Sequence, residues 1–231
     1  GELYLAYQDF SWGVLAFNVN KSVLKPNEEV YLQMAVLDET GNTLCNADLE
    51  LQIIDPNGEM ALLSSANSLV EANPLCGPNN VINSPDYFAY YGLAGPGLYR
   101  IELTAQTDNG LRRISDSFEV RDYSALEVQR TAPTRINPNY PYEMKIRVKA
   151  NEDYSGDFIE TVPSNFKINI QYPIYNIQYN GGQQQLIWKN LKLQKDEEVE
   201  LSYTFDAPDV SPEFYLLGPL QKQIDDEITD I

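Results

Sequence analysis

The sequence predicts an all-β chain folded as two tandem antiparallel sandwiches. Three observations carry that reading: apolar and polar residues alternate with period two in segment after segment, helical periodicity is scarce, and Gly, Pro, Asn and Asp turns separate the alternating runs. A chain of 231 residues has room for two such units of roughly 100–120 residues, each with its own core.

The first half supplies the elements in order. Val30, Leu32, Met34 and Val36 share one face of a strand, and Asp38-Glu39-Thr40-Gly41-Asn42 turns the chain back. Ala47, Leu49, Leu51 and Ile53 then face inward while Asp48, Glu50 and Gln52 face water, and Asp55-Pro56-Asn57-Gly58 makes the next turn. Residues 64–84 lack strand spacing and read as a long loop, with a helical turn near Ser65–Glu71 and an anchor at Cys76. Tyr87–Tyr91 is an aromatic strand, Gly95-Pro96-Gly97 a break, and Tyr99, Ile101, Leu103 and Ala105 one face of the following strand. Asp108-Asn109-Gly110 reads as a tight hairpin into a strand ending at Phe118 and Val120. Two half-apolar sheets must bury their faces against each other, which makes a β-sandwich the natural solution.

The second half restarts the pattern. Leu126 and Val128 open a strand; Tyr142, Met144, Ile146, Val148 and Ala150 share a face, as do Phe166, Ile168, Ile170 and Tyr172. Gly181-Gly182 turns into Leu186 and Trp188, and Val199, Leu201, Tyr203 and Phe205 alternate with polar neighbours. The expected domains are residues 1–122 and 123–231, the second carrying a C-terminal extension, joined near Arg121–Ala125 by a short polar stretch without linker composition. In that extension Leu220, Ile224 and Ile228 recur at fourfold spacing, as on a short helix, although a first strand of a following domain fits equally. A turn feeding directly into an alternating strand recurs in KPNEEVYLQMAV, NPNYPYEMKIRV and QKDEEVELSYTF.

Charge and composition bound the function. The 34 acidic against 16 basic residues give a net charge of −18, which opposes nucleic acid and anionic membrane surfaces, because phosphate recognition needs clustered Lys and Arg. No run approaches the roughly 20 apolar residues that span a bilayer. The chain begins at Gly1 rather than Met and reads as a mature or excised segment of a longer protein. Histidine is absent, which removes Ser-His-Asp and Cys-His catalysis and histidine-ligated metals. Cys45 and Cys76 fit one disulfide or two buried thiols; the even count in a β-rich, loop-rich chain favours the disulfide and an extracellular, oxidising location.

The first half resembles the macroglobulin-like domain of the MG2 type, an immunoglobulin-like sandwich. The resemblance spans roughly residues 12–121 and rests on Lys25-Pro26-Asn27-Glu28, Val30–Leu37, Asp38–Gly41, Asp48–Ile54, Asp55-Pro56-Asn57-Gly58 and GPGLYRIELTAQTDNG, with Asn27 standing where that family usually has Gly. The reactive Gly-Cys-Gly-Glu-Gln motif is absent, Cys76 lying in PLCGPNN instead, so no thioester chemistry is implied. The whole chain also resembles segments of large secreted surface proteins of candidate-phylum bacteria that string such sandwiches together.

Candidate sites are few. Glu28-Glu29, Asp196-Glu197-Glu198 and Asp225-Asp226-Glu227 contain the paired carboxylates a glycosidase would need, but they fall in turns or on polar faces, so no catalytic residue is expected. No metal site is expected either. Calcium, which takes loop oxygens, is the cofactor alternative left open at Asp38–Asn42 and Asn151–Asp157. An autocatalytic isopeptide bond needs a buried lysine, and Lys145 and Lys167 lie on polar faces. Tyrosines cluster in DYFAYYG and QYPIYNIQYNGG, where rings can stack on sugars or anchor a protein; Tyr175 and Tyr179 are the ligand contacts put forward. The expectation is a non-enzymatic extracellular structural or adhesive module at the cell surface. Its partners are neighbouring domains of the same or identical chains, and the alternative is a carbohydrate- or protein-binding module.

Overall fold

The computed structural model describes residues 14–21, 23–77, 84–108, 110–169, 176–211, 213–224 and 227–231. No helix occurs among them, and the strands assemble into sheets, antiparallel except where Val23–Leu24 runs parallel to Gly110–Val120, packed as β-sandwiches.

Nine strands build the first sandwich: β1 (Val14–Val19), β2 (Val23–Leu24), β3 (Glu29–Leu37), β4 (Asp48–Ile54), β5 (Met60–Ser64), β6 (Val70–Ala72), β7 (Tyr87–Gly92), β8 (Gly97–Thr107) and β9 (Gly110–Val120). One sheet has the order β1-β3-β7-β6 and the other β2-β9-β8-β4-β5. The alternation in β3 fixes its register, because a one-residue slip would turn its apolar face to water. Val30, Leu32, Met34 and Val36 are each 0% exposed, while Tyr31 and Gln33 face outward opposite Tyr90 and Phe88 of β7. Leu49, Leu51 and Ile53 of β4 meet Ala105, Leu103 and Ile101 of β8 on the inner side of the facing sheet. Full burial of such a side chain contributes about 1.5–3 kcal/mol.

The second sandwich contains β10 (Leu126–Thr131), β11 (Tyr142–Ala150), β12 (Tyr154–Pro163), β13 (Lys167–Asn169), β14 (Asn176–Asn180), β15 (Gln183–Leu193), β16 (Glu198–Asp206), β17 (Leu220–Ile224) and β18 (Glu227–Asp230). Its sheets run β10-β11-β16-β13 and β14-β15-β12-β17-β18. One apolar cluster extends from Leu15 to Val120 and a second from Leu126 to Leu220, with no buried residue in common.

Three elements differ from the sequence reading. Residues Ser65–Ser68 form a turn, but Val70–Ala72 leave it as a short strand paired with β7 rather than a helical turn. The C-terminal extension is neither a helix nor a strand awaiting another domain: β17 pairs with β12, and β18 folds back on β17. Leu220 is buried whereas Ile224 and Ile228 are 44% and 48% exposed, so the fourfold spacing does not mark a common buried face. β12 is an additional strand at the centre of its sheet, with Phe158–Val162 all buried. A strand covered on both sides need not alternate, and Phe158-Ile159-Glu160-Thr161-Val162 shows no period of two. The Ile170–Tyr172 end of the proposed Phe166 strand, and Asn109 of the Asp108–Gly110 turn, lie outside the described residues.

The recurring turn has a structural basis in two of its three copies. In Lys25–Glu28 and in Gln194–Glu197 the fourth residue donates its N–H to the first residue's carbonyl, at 3.2 and 3.0 Å. The third residue takes a left-handed conformation, φ 64° at Asn27 and 68° at Asp196, the signature of a type II turn. The fourth-position glutamate then reaches back to accept the first residue's N–H, at 3.1 and 2.8 Å. Asn27 therefore replaces the Gly of the resembled family at a position where asparagine is among the best tolerated alternatives. At Asn137–Tyr140 the i to i+3 bond is present, but the Asn137 side chain instead caps the Asn139 N–H.

Candidate functional site

The acidic turns are occupied by their own backbone. Asp38 Oδ1 accepts the N–H groups of Thr40 and Asn42, both at 2.9 Å. Burial nudges this carboxyl up, but the bonds from Thr40 and Asn42 outweigh it and hold the group below the ordinary aspartate range. Asp55 repeats the device with Asn57 and Glu59, both at 2.8 Å. In the second acidic segment, Asp153 accepts from the Lys195 N–H and Asp157 from that of Asn190. Glu28 pairs with Lys21 at 3.0 Å. Among the described residues no three His, Cys, Asp or Glu side chains gather around a common point. Lys145 and Lys167 are 45% and 86% exposed, on the polar faces the alternation assigned to them.

Cys45 and Cys76 form a disulfide across 31 residues of sequence, with Cα atoms 5.8 Å apart. Next to it the buried Tyr87 hydroxyl accepts the Ala47 N–H at 2.9 Å and donates to the Leu44 carbonyl at 2.5 Å. This bond and the disulfide both fasten the 44–47 turn to the rest of the first sandwich.

The two tyrosine clusters have different fates. Tyr175 lies outside the described residues; Tyr179 is 73% exposed on the edge strand β14, and among the described residues no ring packs against it. The structure gathers rings instead on the outer face of the sheet β1-β3-β7-β6. There Tyr31, Phe88 and Tyr90 lie 5.0–6.2 Å apart, ring centre to ring centre. Asn18 donates to Gln33 at 3.1 Å on the same face. Burial and the neighbouring Tyr90 push the Tyr31 phenol up, against a hydrogen bond to Gln33. The DYFAYYG motif flagged two of these rings, but Tyr31 joins them only through the register of β3 with β7.

The other end of that face meets the second sandwich. Ala16, Ala35 and Leu37 border a cleft of about 120 Å³ whose far wall includes Pro133, Ile136 and Pro138. Ala35 is 2% exposed although it points outward, because the second sandwich covers it. Arg135 crosses the gap to hold both carboxylate oxygens of Asp86, at 2.8 and 3.1 Å. These side chains are 10% and 1% exposed.

Asn20, Lys21, Leu24 and Lys25 act as a splint along the joint. Lys21 bridges Gln129, the Asn20 carbonyl accepts the Arg130 N–H at 3.2 Å, and the Leu24 carbonyl accepts that of Arg121 at 2.9 Å. Lys25 Nζ lies 2.5 Å from Glu127 Oε1, which also accepts from Asn151 at 2.8 Å. Partial burial raises the Glu127 carboxyl, yet Lys25 and Asn151 hold it below the ordinary glutamate range. None of these cross-joint contacts was visible in the sequence, because their partners lie far apart along the chain.

A second buried ionic cluster lies inside the second sandwich. Glu160, 0% exposed, accepts from both terminal nitrogens of Arg130 and from the Tyr203 hydroxyl. Burial pushes its carboxyl up and the Arg130 charge opposes that, while burial beside Glu160 raises the Tyr203 phenol strongly. The three groups satisfy one another in a closed core, the arrangement a buried charge requires.

No family model and no curated protein matches the chain. Similar solved structures include a DUF4785 family protein of Legionella pneumophila, 14% identical with a TM-score of 0.34 over 92% of this chain and 53% of that one. Trypsin-activated α-2-macroglobulin of Escherichia coli is 16% identical with a TM-score of 0.35, over 83% of this chain and 13% of its own. Salmonella α-2-macroglobulin reacted with methylamine is 18% identical with a TM-score of 0.34, over 96% and 15%. The chain thus spans about half, or much less, of the proteins it is similar to. At these identities and scores the likeness assigns neither a family nor an activity.

Proposed function

We propose that the chain is a non-enzymatic structural segment of a larger extracellular surface protein, its two sandwiches held at a fixed angle as one link of a stalk, surface layer or adhesin array. The observation that carries this reading is the joint: the splint of Asn20, Lys21, Leu24 and Lys25, the Lys25–Glu127–Asn151 contact and the buried Arg135–Asp86 pair leave the short connection little freedom to bend. The disulfide suits an oxidising location. Absence of histidine from the sequence and engagement of the acidic side chains in turns support a non-catalytic role. Partners are then neighbouring domains of the same or identical chains.

Pulsed electron spin resonance between labels at Ser115→Cys and Lys192→Cys, one on each sandwich and both exposed, tests the fixed angle. A single narrow distance distribution is expected, broadening in Arg135→Ala; a broad distribution in the parent chain overturns the proposal.

A further inference from the structure

We infer that the uncovered half of the outer face of the sheet β1-β3-β7-β6 binds a neutral polysaccharide. The inference goes beyond the structural role and does not depend on it.

The face divides in two. Ala16, Ala35 and Leu37 occupy the half that meets the second sandwich, so small and aliphatic residues stand where protein covers them. On the half that continues into solvent, the outward strand positions are Asn18, Glu29, Tyr31, Gln33, Glu71, Phe88, Tyr90 and Gly92, and none carries an aliphatic side chain. Tyr90 is 52% exposed, and Tyr31 and Phe88 are half-buried beside it. Ring faces ringed by amides and phenols match a pyranose, which offers C–H groups on its faces and hydroxyls at its rim; Tyr pairs an apolar body with a polar tip. Gln33 and Asn18 supply donor and acceptor together. A protein-docking core would instead be expected to combine aromatics with Met or Arg and to be depleted in charge.

Charge selects among polysaccharides. No Lys or Arg stands at these positions, and Glu29 and Glu71 flank the rings in a chain of net charge −18. Like charges raise the cost of an anionic partner, so uronate-rich and sulfated polymers are disfavoured and a neutral chain is the occupant.

The test is native affinity electrophoresis of the whole chain through gels containing soluble xylan, glucomannan or mixed-linkage β-glucan, with alginate as the anionic counterpart. Retardation is expected by at least one neutral polymer and not by alginate. Tyr90→Ala, at an exposed position, should weaken it by roughly tenfold, the scale of a lost ring contact, and Gln33→Ala should weaken it too. Tyr179→Ala, on the second sandwich, should leave it unchanged. Failure of every neutral polymer, stronger retardation by alginate, equal loss in Tyr179→Ala, or capture of a protein through Tyr90 without any polysaccharide binding would each overturn the inference.

Discussion

Replacing Arg135 with Ala removes the group that chelates Asp86 across the joint. The carboxylate is 1% exposed, so the substitution strands a buried charge rather than merely deleting a contact. Losing one member of such a pair costs about 3–5 kcal/mol. For chains of 150–250 residues each kcal/mol moves a midpoint by roughly 2–4 °C, which gives a fall of about 6–20 °C. Two cores invite two transitions, so calorimetry should be paired with circular dichroism. The parent chain should melt with the sandwiches coupled, and Arg135→Ala should separate them. A double-mutant cycle with Asp86→Ala isolates the pair, because deleting both partners leaves no stranded charge. The double variant should be more stable than the summed single losses imply, by at least 1 kcal/mol on the usual scale for contacting residues. Additive losses, or an unchanged midpoint in Arg135→Ala, would refute the reasoning.

Other outcomes follow from individual sites. Cys45→Ser with Cys76→Ser opens a loop spanning 31 positions and should cost about 3–4 kcal/mol in the chain-entropy account, read in the Arg135→Ala background as a lower midpoint for the first sandwich alone. Asn27→Ala should cost about 1–2 kcal/mol, because alanine resists the left-handed conformation at φ 64°; Asn27→Gly should be close to neutral or better in urea melts. The Glu127 carboxyl is depressed in the folded chain, so its contribution is fully present above the ordinary glutamate range and is lost as pH falls through the folded value. Acidification should therefore broaden the distance between the two spin labels before either sandwich unfolds, and Glu127→Gln should abolish that pH response.

Much of the framework was legible because buried faces enforce alternation. Met144, Ile146, Val148 and Ala150 were assigned inward from spacing alone, and all four are buried. The disulfide was legible from an even cysteine count in a loop-rich chain. β12 was hidden because Phe158–Val162 are covered on both sides, which erases the period, and because Glu160 in that run reads as a surface residue until Arg130 and Tyr203 are placed around it. The tail misled through coincidence: fourfold spacing of three apolar residues occurs readily in a hairpin with only Leu220 buried. The aromatic face and the joint depend on which strands become neighbours, and spacing within one strand carries no record of that. Tyr31 meets Tyr90 through pairing of β3 with β7, and Arg135 reaches Asp86 from a loop in the other sandwich.

The disulfide also bears on how the chain withstands proteases. Cys45 and Cys76 bracket β4, β5 and β6, which belong to both sheets of the first sandwich. A single backbone cut anywhere between them yields two pieces that stay covalently joined, each still paired into sheets held by the other. Such a nicked molecule would run as intact on a gel without reductant and fall into two bands with it. A protease could thus cut the turns at Asp55–Gly58 and Ser65–Ser68 without releasing either half.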